Sequence, residues 1–113
     1  MKLANDYVIV SNSIIPTSGD FSVSFCANIE TLSNSYAEIV SQGQTSQSGF
    51  YIGYNPSGEI RISDDWWPSP GIPFPVDGIW HYYSVVKTSS NTYFYIDGVF
   101  IISAGFAIGN PTA

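Results

Sequence analysis

Residues 93–102 read YFYIDGVFII and predict a β-hairpin. Two apolar runs flank Asp97-Gly98, a dipeptide that readily adopts the positive φ angles required by a two-residue type I′ turn. Such a turn fixes the register of the two strands. The expected pairs, outward from the turn, are Ile96 with Val99, Tyr95 with Phe100, Phe94 with Ile101 and Tyr93 with Ile102. Both faces of this hairpin are apolar or aromatic, so we expect the second face to be covered by a proline-rich loop or by another molecule.

The same two-residue period recurs through the rest of the chain, in runs of β-branched and aromatic residues between turn residues. The predicted strands are 7–10, 21–29, 37–42, 50–54, 59–63, 80–87, 93–96 and 99–103. Four prolines between Ser63 and Ile79 predict a long surface loop there, because proline lacks the N–H of a central strand. Many short strands in one small chain predict an all-β fold, a single two-sheet antiparallel sandwich over residues 1–113.

Composition excludes several classes of partner. The chain has 113 residues, of which 44% are hydrophobic and 11% charged, which is typical of a folded module rather than of a disordered tail. Three Lys and Arg against nine Asp and Glu give a net charge of -6, so we expect neither nucleic acid nor a membrane as partner. The single cysteine, Cys26, cannot form a disulfide within the chain.

Five segments resemble, in their order, the laminin G-like and concanavalin A-like jelly rolls. They are DYVIV at 6–10, GDFSVSF at 19–25, IVSQG at 39–43, GIWHYYSVV at 78–86 and YFYIDG at 93–98. The most specific part is Trp80-His81 followed by an aromatic strand that ends in Asp97-Gly98. The resemblance implies two antiparallel sheets packed face to face, with a concave face that in many relatives meets glycans or protein ligands. Two departures are Cys26, where the family usually has a Trp, and the absence of the family's closing strands.

The residues give no support for catalysis. Glycosidases use two carboxylates on one face, roughly 5 to 9.5 Å apart. Asp64 and Asp65 are adjacent, so on a strand they point to opposite faces. The only histidine, His81, shares its face with apolar positions, and we predict a hydrogen-bonded core residue, with a catalytic base as the alternative. Cys26 lacks basic neighbours and is predicted to be a small buried hydrophobe.

The resemblance also implies a calcium site in which Asp6, just before the first predicted strand, is one ligand. The acidic partner on the family's closing strand is missing from this sequence, so we expect no cofactor, and calcium stays open as the alternative. Further oxygen donors to such a site would be Asp20 and Asp64. The competing interpretation is that Asp6 and Asp20 are turn residues whose carboxylates bond nearby backbone N–H groups.

Aromatic residues make up 16% of the chain and carry the strongest functional signal. An indole can stack on the apolar face of a sugar while a carboxylate accepts hydrogen bonds from its hydroxyls. The candidate ligand-binding residues are Trp66, Trp67, Asp64, Asp65 and Tyr54. The alternative is that one or both tryptophans of the pair plug the open end of the sandwich or cover the second face of the hairpin. Trp80 begins a predicted strand and is predicted to be a core residue.

These observations favour a non-catalytic binding module for a glycan or another surface ligand, outside the cell or on a virus particle. The alternative is a structural subunit of a particle, fibre or tail that assembles through sheet edges and apolar faces. Without a closing strand, the strand at 7–10 or a neighbour has an unpaired edge. We therefore expect a homo-oligomer or a strand-donating partner, unless the segment 104–113 closes the sheet as a shortened last strand.

Overall fold

The computed structural model describes residues 8–44, 47–63 and 67–112 and confirms the all-β sandwich. The strands are β1 Phe21–Asn28, β2 Ala37–Gln44, β3 Gln47–Tyr54, β4 Glu59–Ile62, β5 Trp67–Pro73, β6 Trp80–Lys87, β7 Thr92–Ile96 and β8 Val99–Ala104. They form two four-stranded antiparallel sheets, in the orders β1-β6-β7-β8 and β2-β3-β4-β5. The described part of the chain holds no helix long and apolar enough to cross a membrane.

The β7–β8 hairpin has the predicted turn and, next to it, the predicted register. Asp97 and Gly98 have φ angles of 54° and 75°, and the first two expected pairs form. Beyond them the prediction is wrong by one residue, since Phe94 faces Ile102 and the register shifts at this point. Ile101 is the extra residue of a β-bulge. An apolar residue opposite Phe94 satisfies the inner face in either register, so hydrophobicity alone does not reveal the bulge.

The proline-rich stretch is not a loop over the hairpin, as predicted, but contains a strand. β5 pairs with β4 at the edge of the second sheet, which is the position where proline's missing N–H is tolerated. The β4–β5 ladder has a register shift between Ile60 and Ile62, and Arg61 Nη1 donates to the carbonyl of Pro68 at 2.7 Å. The strand Trp67–Pro73 therefore belongs to the opposite sheet and leaves the second face of the hairpin uncovered.

The predicted first strand is also absent among its described residues, 8–10. These residues form no ladder and are exposed, Val8 to 92%. The chain is fastened further along by the side chain of Gln42. Its Oε1 accepts from the N–H groups of Ile14 and Ile15, and its Nε2 donates to the carbonyl of Ile15 at 2.8 Å. One amide thus replaces a strand pairing, and β1 becomes the edge strand of its sheet.

The segment 105–112 covers one end of the core without forming the shortened last strand that was the alternative to an open edge. Thr92 Oγ1 donates to the carbonyl of Phe106 and accepts from the N–H of Ile108, which buries Ile108. Lys87, itself buried, donates to the side chain of Asn110. The sandwich is therefore closed at this end by side-chain hydrogen bonds from the first sheet.

Tyr83 lies at the centre of the core between the two sheets and is fully buried. Phe25 from the neighbouring strand stacks on it with ring centroids 5.2 Å apart. Phe74, which follows β5 in the opposite sheet, meets it edge-on at 5.4 Å. A second edge-on contact joins the sheets near their other end, between Phe21 and Phe50 at 5.3 Å. Such aromatic pairs each add about 0.5 to 1.5 kcal/mol beyond their buried area.

The hydroxyl of Tyr83 is buried and meets no hydrogen-bond partner among the described residues. Burial, helped by the negative charges of Asp77 and Asp97, raises the pKa of Tyr83 to about 12. An unsatisfied buried hydroxyl costs about 1 to 3 kcal/mol. We therefore predict that Tyr83→Phe raises the free energy of unfolding by about 1 kcal/mol, measured by urea denaturation. The matched control is Tyr54→Phe, which removes a bonded hydroxyl, 2.9 Å from Ser33 Oγ, and is expected to lower stability. A loss of stability in Tyr83→Phe would contradict the prediction.

Candidate functional site

Of the five residues that the sequence proposed as a ligand site, the structure describes two, Trp67 and Tyr54, and both are buried. Trp67 lies in β5 and is only 5% exposed, so it is a core residue rather than a stacking platform. Tyr54 is buried, with its hydroxyl on Ser33. Trp66, Asp64 and Asp65 lie outside the described residues and remain predictions.

Of the proposed calcium ligands, Asp20 alone lies among the described residues, since Asp64 falls outside them. Asp6 lies outside the described residues, and Asp20 is exposed just before β1. Within the described ranges no three His, Cys, Asp or Glu side chains lie close enough together to hold a metal ion. The calcium hypothesis therefore rests on the sequence alone.

The structure instead presents aromatic side chains on the outer face of the sheet β1-β6-β7-β8. Strand alternation and register put five of them on this side, which we call the aromatic face: Trp80, Tyr82, Tyr93, Tyr95 and Phe100. Trp80 is 68% exposed, Phe100 53% and Tyr82 47%. From Trp80 to the row of Tyr93, the face extends about 20 Å along the strands, at roughly 3.3 Å per residue.

The aromatic face follows directly from the period of two in β6. Tyr83 and Val85 point into the core, so Trp80 and Tyr82 must point out. The prediction that Trp80 is a core residue is therefore wrong, and the signal that corrects it lies in the sequence, in the parity of Trp80 against Tyr83. The position of a residue at the start of a strand does not determine which face of the sheet its side chain occupies.

The two hairpin strands extend the face sideways. Tyr95 pairs with Phe100 across β7 and β8, and their rings meet at 6.0 Å with planes inclined by 68°. Tyr93 lies one row further from the turn, opposite Ser103. Tyr93, Tyr95 and Phe100 form the second face of the hairpin, which the sequence shows to be unusually apolar for a solvent-exposed face. In the structure this face is open to solvent next to Tyr82.

No charged side chain lies among the outward positions of these four strands. Between the aromatic residues the outer face carries hydroxyl, amide and thiol groups, and the hydroxyls of Ser24 and Ser84 bond each other at 3.0 Å. Cys26 lies opposite Tyr82 on this face and is exposed, so its prediction as a buried hydrophobe is wrong. The face thus combines flat apolar rings with neutral hydrogen-bonding groups, which is the composition of an interface core or a neutral-ligand site.

A histidine clamp borders the aromatic face beside the hairpin turn. His81 Nδ1 lies 2.6 Å from Asp97 Oδ2, and His81 Nε2 lies 2.8 Å from Asp77 Oδ2. The other oxygen of Asp97 accepts from the N–H of Tyr82 at 2.9 Å. The clamp therefore ties the turn and the segment before β6 to the strand that carries Trp80 and Tyr82.

Both ring nitrogens of His81 are hydrogen-bonded in the clamp, and this affects the pKa of His81 and its ability to act as a base. The hydrogen bond to Asp97, followed by that to Asp77, raises the pKa of His81 above its ordinary value of 6.5. The same bonds hold the pKa of each aspartate below 3.8. A histidine between two carboxylates has no free lone pair with which to take a proton from a nucleophile. The predicted hydrogen bonding is confirmed, and the position is partly rather than fully buried.

Comparison with known proteins gives a single kind of match. A family model of laminin G type, described as the concanavalin A-like lectin/glucanases superfamily, matches residues 3–113. No curated protein and no solved structure matches the chain.

The clamp predicts a specific pH dependence of stability. A raised histidine pKa stabilises the fold below pH 6.5 and loses that contribution as the pH rises through the folded-state pKa. The lowered aspartate pKa values stabilise it above pH 3.8 and lose theirs as the pH falls through the folded-state values. The contribution of the clamp is therefore greatest between these two limits.

We predict that His81→Gln lowers the melting temperature most between pH 4 and 6.5, and that the difference from the native chain shrinks at higher pH. Thermal unfolding of both proteins from pH 4 to 9, at constant ionic strength, measures this difference. Asp77→Asn is the control, because it removes one of the two carboxylates and should give a smaller difference of the same form. A pH-independent difference would mean that His81 stabilises by packing alone.

Proposed function

The chain belongs to the concanavalin A-like lectin/glucanases superfamily, and on this basis we propose that it is a non-catalytic binding module whose ligand lies on the aromatic face. Laminin G-like domains often serve as binding modules, although the wider superfamily also includes glycosidases. The observation that carries the proposal is the exposure of Trp80, Tyr82 and Phe100 together on one uncharged side of a sheet. A contiguous exposed apolar surface of this kind marks an interaction site.

The chemistry of the face favours a neutral glycan as the ligand class. Flat indole and phenol rings offer stacking area, and the tyrosine and serine hydroxyls around them offer donors and acceptors. A sugar ring has the complementary pair of surfaces, an apolar face and a rim of hydroxyls. The net charge of -6 and the absence of cationic side chains at the outward positions disfavour an anionic glycan.

Binding rather than catalysis follows from how the described carboxylates near the face are used. Asp77 and Asp97 are both bonded to His81, and Asp97 also holds the N–H of Tyr82. Their lowered pKa values make them poor general acids near neutral pH. They are also held against β6 and the hairpin turn rather than aimed across a cleft at one bond.

We place this binding outside the cell or on the surface of a virus particle, as laminin G-like domains are commonly extracellular. A neutral and aromatic recognition surface suits surface glycans, which present many copies of one sugar motif. The prediction that Trp66 binds a ligand is tested in the same experiment.

We predict that replacing Trp80 and Tyr82 together by Ala abolishes binding of a neutral oligosaccharide selected on a glycan array with the native chain. Each aromatic anchor is worth about 1.4 kcal/mol or more, so the loss is roughly tenfold or greater per substitution. Isothermal titration measures it. Because both side chains are exposed, unfolding free energy should stay within about 1 kcal/mol of the native value.

The matched control is Tyr36→Ala, which removes an aromatic ring that is 65% exposed outside the aromatic face. It should bind as the native chain does. Retained binding in the double variant would remove the aromatic face as the site, and loss of binding in Trp66→Ala instead would move the site to the loop. A native chain that binds no neutral glycan on the array would rule out the ligand class.

A further inference from the structure

Four strands form the edges of the two sheets, and three of them carry features that block further pairing. β5 contains prolines, which cannot donate to a ladder. β8 has the bulge at Ile101. β2 has register shifts in two places, and its Gln42 side chain already bonds the chain at Ile14 and Ile15. Prolines, bulges and covered edges are the devices by which proteins prevent unwanted strand addition.

The fourth edge, β1, has none of these features. Its eight residues, Phe21–Asn28, include no proline and no charged residue. It pairs with β6 in continuous register from Phe21–Lys87 to Asn28–Trp80, without a bulge. Among the described residues, its main chain pairs with β6 alone. The opposite side of β1 is therefore a regular row of N–H and C=O groups that no described strand pairs with.

A groove lined about equally by apolar and polar residues, Glu38 among them, lies beside this edge. It has a volume of about 1010 Å³ and runs between β1 at Ser22–Ser24, β2 at residues 38–43 and the segment 8–16. Val8, Ile9 and Val10 are exposed along it, with Ile14 and Ile39 on its other sides. Three consecutive β-branched side chains in water next to an open strand edge form a surface that is stabilised when another strand covers it.

The charge distribution identifies the occupant as a second copy of this chain. The molecule carries a net charge of -6, so two copies repel each other over most of their surfaces. Residues 8–29 contain only one charged side chain, Asp20, which lies just outside β1. β1 itself therefore contributes no like-charge repulsion when two acidic copies approach along this edge. An identical strand is also uncharged and of equal length, so the contact is self-complementary.

We propose that two copies associate through antiparallel pairing of β1 with β1, giving one continuous eight-stranded sheet across the dimer. Antiparallel pairing about a two-fold axis perpendicular to the sheet keeps outer residues on the outer side. The two aromatic faces then lie on the same side of the joined sheet. The pairing of the two copies does not depend on what the aromatic face binds. If the proposed function holds, the dimer offers two binding sites to one multivalent ligand, and this consequence rests on that function.

The pairing restricts the register. Outer residues of one copy must lie opposite outer residues of the other. The two-fold axis must therefore lie midway between one residue of β1 and the same residue of the other copy. The outer residues of β1 are Ser22, Ser24, Cys26 and Asn28. Registers with good overlap are centred on position 24, 25 or 26. They place position 24 opposite itself, position 24 opposite position 26, or position 26 opposite itself.

The first test is the mass in solution, measured by light scattering after size exclusion over a hundredfold range of concentration. We expect twice the 12.3 kDa monomer mass at the upper end. Ser22→Glu with Ser24→Glu places like charges along the seam and should shift the dissociation constant at least tenfold upward. The control is Ser35→Glu with Ser89→Glu, which adds the same charge at exposed loop positions. A monomer at every concentration, or a dimer that both double variants weaken equally, would overturn the proposal.

The second test reads the contact directly by oxidising thiols with diamide and separating the products without reductant. Ser24→Cys, with Cys26 retained, puts two thiols on the strand and should cross-link the dimer in any of the three registers. Cys26→Ser with Ser84→Cys is the control, because it has no thiol on β1 and its single thiol lies on the same face but in the inner strand β6, away from the seam. Cross-linking no greater in Ser24→Cys than in this control would contradict pairing through β1.

These experiments can contradict the dimer and the binding function independently of each other. The mass and cross-linking are measured without glycan. The Trp80→Ala, Tyr82→Ala double variant should keep the native dimer mass, because neither side chain belongs to β1. A dimer that binds no neutral glycan would overturn only the proposed ligand, and a monomer that binds one would overturn only the pairing.

Discussion

The sandwich depends on the edge-on contact of Phe74 with Tyr83. Each sheet has one apolar face, and neither face is stable in water without the other. Tyr83 lies in an inner strand of the first sheet, and Phe74 comes from the end of the second sheet's edge strand. Their contact joins the two apolar faces at the position where the alternation of β6 puts Tyr83 inside. Once Tyr83 is inside, Trp80 and Tyr82 are outside, and the aromatic face exists as a consequence of the core.

The parts of the fold that local chemistry decides were open to prediction. Asp97-Gly98 dictates its turn through backbone conformation, and the alternation around Tyr83 dictates the faces of β6. The bulge at Ile101 was not open to prediction, because consecutive isoleucines satisfy the inner face in either register. Trp67 was misread for a related reason, since a strand interrupted by prolines has the composition of a loop and differs from one only through its pairing with β4.

The site was harder to predict than the fold because exposure of aromatic residues is a tertiary property. The sequence marked the second face of the hairpin as unusually apolar, but a covering loop explained that pattern as well as a ligand did. Only the position of β5 in the opposite sheet separates the two. His81 illustrates the same limit, as its apolar neighbours predicted a buried residue but not the two aspartates, which lie four and sixteen residues away in sequence.

The amide of Gln42 also determines how the domain responds to tension. A pull on the chain before Ile14 meets three hydrogen bonds at one side chain before it reaches β1. These bonds connect Ile14 and Ile15 to β2, in the other sheet, so the force divides between the two sheets instead of peeling β1 from β6 one pair at a time. The hydrogen bonds of Gln42 therefore couple the segment before β1 to both sheets of the sandwich.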